Sequence, residues 1–246
     1  MGIGYRLAGR PFLAVQDSEK AHGRAILGLR LMSSNPVTRT LLRGVYAPRQ
    51  LPVSRFGSTY PNPFGLAAGM DKRAEAIRGW ESLGLGFIEI GGVTALEQGG
   101  NPKPRMFRSG ASKALVNRMG FNNPGSEKVA DQLSLHIRRH GQPNVPLWAN
   151  LGKSKVTPLD EAASDYATTM ERLWPHCDVF VINVSSPNTP NLRELQHDAA
   201  LGNIVQACNQ VNSDMANTHQ SQPKPLLVKI APDLNDEQLV AVVNTA

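Results

Sequence analysis

Asn183, Ser185, Ser186, Asn188 and Thr189 crowd into seven residues directly after the apolar run 179–182. Such a short, β-branched run without polar alternation reads as a strand buried on both faces. Its end would deliver amides and hydroxyls together, the donor and acceptor set that suits a planar polar ligand. Parallel α/β barrels build their sites at that end of the strand. The competing reading is an ordinary polar turn punctuated by Pro187 and Pro190.

Two further stretches carry chemical potential. Residues 65–72, Gly-Leu-Ala-Ala-Gly-Met-Asp-Lys, fit neither a Walker A loop nor a GxGxxG fingerprint. Their small side chains at Ala68 and Gly69 would let a flat ring lie against the backbone, with Lys72 offering a cation to an anionic group. A tight turn with a solvated lysine is the alternative. Lys229 falls inside the apolar stretch 226–230. A buried ammonium is costly unless it meets an anion or a carbonyl, so such a partner is expected.

The elements that would position these residues alternate along the chain. Apolar runs predict strands at 65–68, 87–90, 147–151, 179–183 and 226–230. Val129, Leu133 and Ile137 recur every fourth residue and predict a helix over 126–140. Thr157 with Pro158 predicts a helix start that continues through Tyr166, Met170 and Leu173, and a further helix is expected around 203–211. Asn235 with Gln238 predicts a capping box for a last helix. Residues 96–123, rich in Gly, Pro, Lys and Arg, read as one long loop, of a length that is usually either functional or disordered. Strand–helix alternation implies a parallel sheet with right-handed crossovers. The expected fold is a (β/α)8 TIM barrel of which about five of eight strands are present. The sequence closes within a helical stretch, as a C-terminally truncated barrel would, and such a chain is expected to hold its cofactor poorly. Residues 1–50 read as short helices separated at Pro11, Pro36 and Pro48, giving a helical unit 1–50 and a barrel unit 51–246.

Charge sharpens that division. The net charge of the 246-residue chain is +6, and residues 1–50 hold eight basic side chains against Asp17 and Glu19. The whole excess therefore sits in the first fifth, interleaved with apolar residues, which favours an anionic membrane surface over nucleic acid. A solvated basic face is the plainer alternative. No run of about 18 apolar residues occurs, and residues 1–6 lack a signal-peptide core. Cys177 and Cys208 lack CxxC spacing, so neither a zinc site nor a disulfide framework is expected. His136 and His140 share a helix face with two arginines between them and no carboxylate ligand, which reads as a basic surface rather than a metal site.

Taken together, 183–193 (Asn-Val-Ser-Ser-Pro-Asn-Thr-Pro-Asn-Leu-Arg), 65–72, 100–105 (Gly-Asn-Pro-Lys-Pro-Arg) and 117–121 (Asn-Arg-Met-Gly-Phe) resemble quinone-dependent, class 2 dihydroorotate dehydrogenases. The resemblance runs from about residue 17 to the last residue. It implies FMN, dihydroorotate and quinone as ligands, in the pyrimidine pathway. It implies Ser186 as catalytic base, where soluble relatives carry cysteine, with Thr189 as its proton relay. Lys72, Asn117, Arg118, Met119, Gly120, Phe121, Asn183 and Asn188 are the implied substrate contacts. Ala68, Gly69, Met70, Asp71, Lys72, Gly92, Asn150, Asn183 and Lys229 are the implied flavin contacts. Gly92 stands where the family usually has a threonine, so a side-chain contact to the flavin is expected to be lost there. Asn191 replaces a family glycine, and asparagine tolerates the same backbone. The implied location is the cytoplasmic face of the cell membrane, held peripherally. The alternatives are an inactive fragment or pseudoenzyme that keeps membrane binding, and a related FMN barrel acting on another pyrimidine.

Overall fold

The computed structural model describes residues 3, 5–188, 192–196 and 198–246. A π-helical turn at Tyr5–Gly9 leads into the N-terminal α-helices α1 (Arg10–Ala14), α2 (Ser18–Ser34) and α3 (Pro36–Tyr46). Asp17 starts α2 by accepting the Lys20 N–H at 2.9 Å. Asn35 starts α3 by accepting the Val37 N–H at 2.8 Å, with Pro36 in the first turn. The expectation of uniformly short helices is corrected here, since α2 runs 17 residues before Asn35 takes an extended backbone. Leu27, Leu31, Val37, Leu41 and Val45 of these helices stay exposed. Among the described residues no helix is long and apolar enough to cross a membrane.

The remaining elements follow in order. A hairpin of β1 (Val53–Arg55) and β2 (Ser58–Tyr60) precedes β3 (Gly65–Leu66), α4 (Ile77–Ser82) and β4 (Phe87–Val93). A second hairpin, β5 (Met106–Ser109) with β6 (Ala114–Asn117), lies inside the stretch expected to be loop. Then come α5 (Ser126–His140), β7 (Leu147–Leu151), α6 (Ala162–Leu173), β8 (Val179–Asn183), α7 (Asp198–Thr218), β9 (Leu226–Lys229) and α8 (Asp236–Thr245).

Strands β3, β4, β7, β8 and β9 form one parallel sheet in chain order. Ile88, Ile90, Leu147, Ala149, Leu151, Phe180 and Ile182 are fully or almost fully buried in it. Burial on both faces is why these strands read as unbroken apolar runs. α2 rests on α4, where Leu29 packs over Gly79 and leaves no room for a β-carbon. At the end where the strands begin, Phe87 stacks on Trp148 at 4.4 Å and Tyr60 meets both rings edge-on. That aromatic plug covers the sheet end opposite the strand C-termini. Tyr166 of α6 is fully buried and donates its hydroxyl to the Asn183 carbonyl at 2.8 Å.

The start of α6 differs from expectation. Thr157 does not cap it, because its hydroxyl is spent on Asp165 at 2.7 Å and the helix begins at Ala162. The capping box at Asn235 and Gln238 forms as the spacing predicts. Both cysteines are buried and unpaired, and burial pushes the Cys208 thiol up to about 12. Neither is poised as a nucleophile at neutral pH.

Candidate active site

A cavity of about 600 Å³ opens at the C-terminal ends of the sheet strands. Ala68, Gly69 and Lys72 enter it from the turn after β3, Gly92 from β4, Asn150 from β7, and Lys229 from β9. Asn183 enters from the last position of β8, and Ser186 and Asn188 from the loop behind it. Asn117 closes one side from the end of β6, with Met119, Gly120 and Phe121 from the segment after it. The fold therefore gathers residues spread over more than 150 positions at one set of strand ends.

Beneath the cavity runs a buried polar string. Glu89 of β4 accepts the Ala68 backbone N–H at 3.1 Å and the Asn150 amide at 2.7 Å. Asn150 accepts the Asn183 amide at 2.8 Å. Asn183 in turn accepts from the Ser185 backbone N–H at 3.1 Å and the Ser185 hydroxyl at 2.8 Å. Both ends of the string are backbone donors, so a member with two acceptors is required somewhere along it. Glu89 is that member, and it fixes which way both amides point. A carboxylate within the apolar stretch 87–90 was a legible signal, by the same burial argument that singled out Lys229.

Ser186 is partly exposed, and its Oγ accepts the Asn188 N–H at 3.2 Å. That donor would stabilise charge developing on the oxygen. Asn188 is itself held by Asn101, whose amide donates to the Asn188 carbonyl at 3.1 Å. Arg193 ties the same loop across the sheet, donating to the Ser185 carbonyl at 3.2 Å and to Asp233 at 2.9 Å. Thr189 and Asn191 lie outside the described residues. Ser185 lines the cavity with its neighbours, and His22 and Met106 also line it but were not singled out from the sequence.

Three expected contacts are placed elsewhere. The Arg118 guanidinium donates to the Pro104 carbonyl at 3.1 Å and sits 5.6 Å from the centre of the Phe107 ring, turned from the cavity. Asp71 is buried and fully committed, accepting from the Glu75 and Ala76 N–H groups at 2.9 Å and from Trp80 Nε1 at 3.1 Å. Its carboxylate thus anchors the start of α4. Met70 lines an adjoining cavity of about 380 Å³ between α2 and the turn after β3, together with Glu19, Ile26 and Leu27. Lys229 also differs from expectation in this structure: it lines the cavity from the end of β9 with its side chain exposed rather than buried, so the cost-of-burial argument for a partner does not apply to it here.

The charges at the cavity mouth are partly desolvated. Burial lowers the Lys72 pKa, the neighbouring Arg105 lowers it further, and Glu19 opposes both. His22, contributed by α2, has its pKa lowered by burial and then by Lys72. His22, Lys72 and Met119 line both cavities, so the two spaces adjoin at this point.

A parallel α/β sheet with an amide-floored, lysine-bearing pocket at its strand C-termini has the layout on which this fold class builds ligand sites. Residues 50–246 match the family model described as dihydroorotate dehydrogenase. The chain is 49% identical over 242 residues to a dihydroorotate dehydrogenase (quinone) of Gloeobacter violaceus, covering 98% of this chain and 64% of that relative. It is 47% identical over 236 residues to the Thermus thermophilus enzyme of the same name, covering 94% of this chain and 64% of the relative. Among solved structures, DHODH of Eimeria tenella in complex with ferulenol superposes with a TM-score of 0.77 at 34% identity, over 94% of this chain and 64% of that one. The chain belongs to the dihydroorotate dehydrogenase family. It spans about 64% of the length of these relatives.

Proposed function

We propose that the strand-end cavity holds the ring of FMN with dihydroorotate beside it, and that the protein oxidises (S)-dihydroorotate to orotate with a quinone as final acceptor. The observation that carries this is the Glu89–Asn150–Asn183 string under the cavity, with Ser186 at its rim. The residues present fit a flavin ring: Ala68, Gly69 and Gly92 leave a wall without bulk, and Asn150 and Lys229 face the cavity with groups suited to ring carbonyls and nitrogens. A bound flavin supplies the two-electron acceptor for the hydride leaving the substrate. The chain's own residues do the rest. Lys72, Asn117 and Asn188 orient the anionic, amide-rich substrate, and Ser186 Oγ takes the proton from the carbon next to the one that loses hydride. A serine cannot keep that proton at neutral pH, so Thr189 is proposed as its exit.

The test is anaerobic. Dihydroorotate should bleach the visible absorbance of the flavin-loaded protein, and a water-soluble quinone should restore it. A flavin-loaded protein whose spectrum ignores dihydroorotate would remove the proposal.

The first 50 residues are proposed to rest on an anionic membrane at its cytoplasmic face, with the adjoining cavity as the quinone's route. Support comes from the confined positive charge and from exposed Leu27, Leu31, Leu41 and Val45 on α2 and α3. Each basic residue near an anionic surface contributes roughly 1 kcal/mol. The double variant Arg24→Glu/Arg43→Glu should therefore weaken binding to phosphatidylglycerol-containing vesicles by at least about tenfold at low salt. Equal sedimentation of variant and parent would refute this arrangement.

A further inference from the structure

We infer that the cavity of about 340 Å³ between α2, α4 and α5 is a seat for a phosphoryl-bearing anion, with Arg30, Arg78 and Arg139 as its cationic walls. It shares no residue with the strand-end cavity, so it stands or falls independently of the reaction proposed above.

Three elements distant in sequence each send one guanidinium to this space. Arg30 comes from α2 with Ser34 beside it, Arg78 from α4, and Arg139 from α5 with His136 and His140. Like charges brought together in this way repel unless a counter-charge sits among them. Among the described residues the ion pairs are Lys103 and Arg105 with Glu19, Lys128 with Glu97, and Arg193 with Asp233. None of them reaches the three arginines. The acidic residue that lines the cavity is Glu75, which also lines the 380 Å³ cavity next to it, so it stands at the border of the two. One carboxylate against three guanidiniums leaves an excess of positive charge.

Local structure accounts for part of this charge. Arg139 and His140 lie in the last turn of α5, where cations meet the carbonyl end of a helix. That reason does not extend to Arg30 or Arg78, which belong to other helices. Arg78 Nη1 lies 3.0 Å from His140 Nδ1. A guanidinium only donates, so Nδ1 accepts and Nε2 carries the ring proton as a further donor. The His136 ring stands 5.3 Å from that of His140, and burial and then His140 lower the His136 pKa, with Glu81 opposing. The wall is therefore rich in donors and in cations.

A tetrahedral phosphoryl group answers this arrangement better than a carboxylate does. It offers three or four acceptor oxygens, and each planar guanidinium can engage two of them, whereas a carboxylate has two oxygens to divide among three forks. The volume lies at the small end of ligand sites, which suits a headgroup or a small phosphate ester. Leu27 and Leu31 are exposed within one helical turn of Arg30. A phospholipid would seat its phosphate in the cavity with its chains along these leucines, and a free phosphate ester would use the cavity alone.

Calorimetric titration of the purified protein with inorganic phosphate, at constant ionic strength, should show one site with Kd of about 0.1–10 mM. Arg30→Gln/Arg139→Gln alters two exposed side chains and should weaken binding at least about tenfold. The charge-matched pair Arg55→Gln/Lys113→Gln, exposed outside the cavity, should bind as the parent does. Glu75→Gln removes the opposing charge and should bind at least as tightly as the parent. A parallel titration with glycerophosphoglycerol, the water-soluble headgroup of phosphatidylglycerol, separates the two sources. Binding of this diester with the same arginine dependence assigns the seat to a lipid headgroup. Binding of inorganic phosphate without it assigns the seat to a free phosphate or phosphate monoester. No saturable binding of either probe would overturn the inference. So would undiminished binding by Arg30→Gln/Arg139→Gln, an equal loss in Arg55→Gln/Lys113→Gln, or weaker binding by Glu75→Gln.

Discussion

Replacing Ser186 by alanine is expected to reduce dihydroorotate turnover by about 10²–10⁴-fold, the usual cost of removing a general base, while leaving flavin affinity unchanged. In the proposed reaction the hydroxyl would take a proton only as the reaction proceeds, so the loss should fall on kcat and not on substrate binding. The structure supports a role in charge handling, since the Asn188 N–H already points at Ser186 Oγ from 3.2 Å. Ser186→Cys should keep partial activity that rises as the thiolate forms toward pH 8–9. Stopped-flow reduction of the bound flavin reads the step directly. Normal reduction of the alanine variant would disprove the assignment of the base.

The second large effect should come from Glu89→Gln, a change that preserves volume and hydrogen-bonding reach. Glutamine brings its own donor into a string whose two ends, the Ala68 and Ser185 N–H groups, are fixed donors. Flipping Asn150 and Asn183 to accommodate it only moves the donor–donor conflict along the line. One buried group is left unsatisfied in every arrangement, at a cost of about 1–3 kcal/mol. Flavin affinity should fall roughly 5- to 150-fold, because the cavity-facing amides proposed to contact the cofactor lose their fixed orientation. Glu89→Gln protein that binds flavin as tightly as its parent would show that the string does not orient the site.

The central strands were legible because burial on both faces leaves an apolar run with no alternation, as in β8. α5 was legible for the opposite reason: one buried stripe, Val129 and Leu133, on an otherwise polar helix. The hairpin β5–β6 was not. All four residues of β6 are exposed, so its strands carry no pattern that burial could impose. They are held by their own pairing and by Arg108, which donates to the Gln16 carbonyl at 2.9 Å, a contact 92 residues distant. The start of α6 was misplaced because Thr157 finds a tertiary partner in Asp165, and propensity rules see only local partners. Lys229 differs from expectation in that its side chain is exposed at the end of β9, where Leu226 and Val228 are half-buried. The cavity residues were recognised one motif at a time. What joins them is the carboxylate of Glu89: its place in an apolar run was a signal in the sequence, but its partners Ala68 and Asn150 emerge only when the strands are laid side by side.

Arg105 carries a consequence for how the protein would respond to force. Its guanidinium donates to Glu19 of α2 at 2.6 and 3.1 Å, and to the Gly99 and Asn101 carbonyls at 2.6 and 2.9 Å. Asn101 passes the connection on to the Asn188 carbonyl, and Asn188 holds Ser186. The helix, the long segment and the serine loop are thus coupled like links of one drive train. A tug on α2, such as gripping a surface would exert, arrives at the serine through a handful of short bonds. On the proposed function, where α2 rests and how the Ser186 oxygen is aimed would become a single mechanical variable.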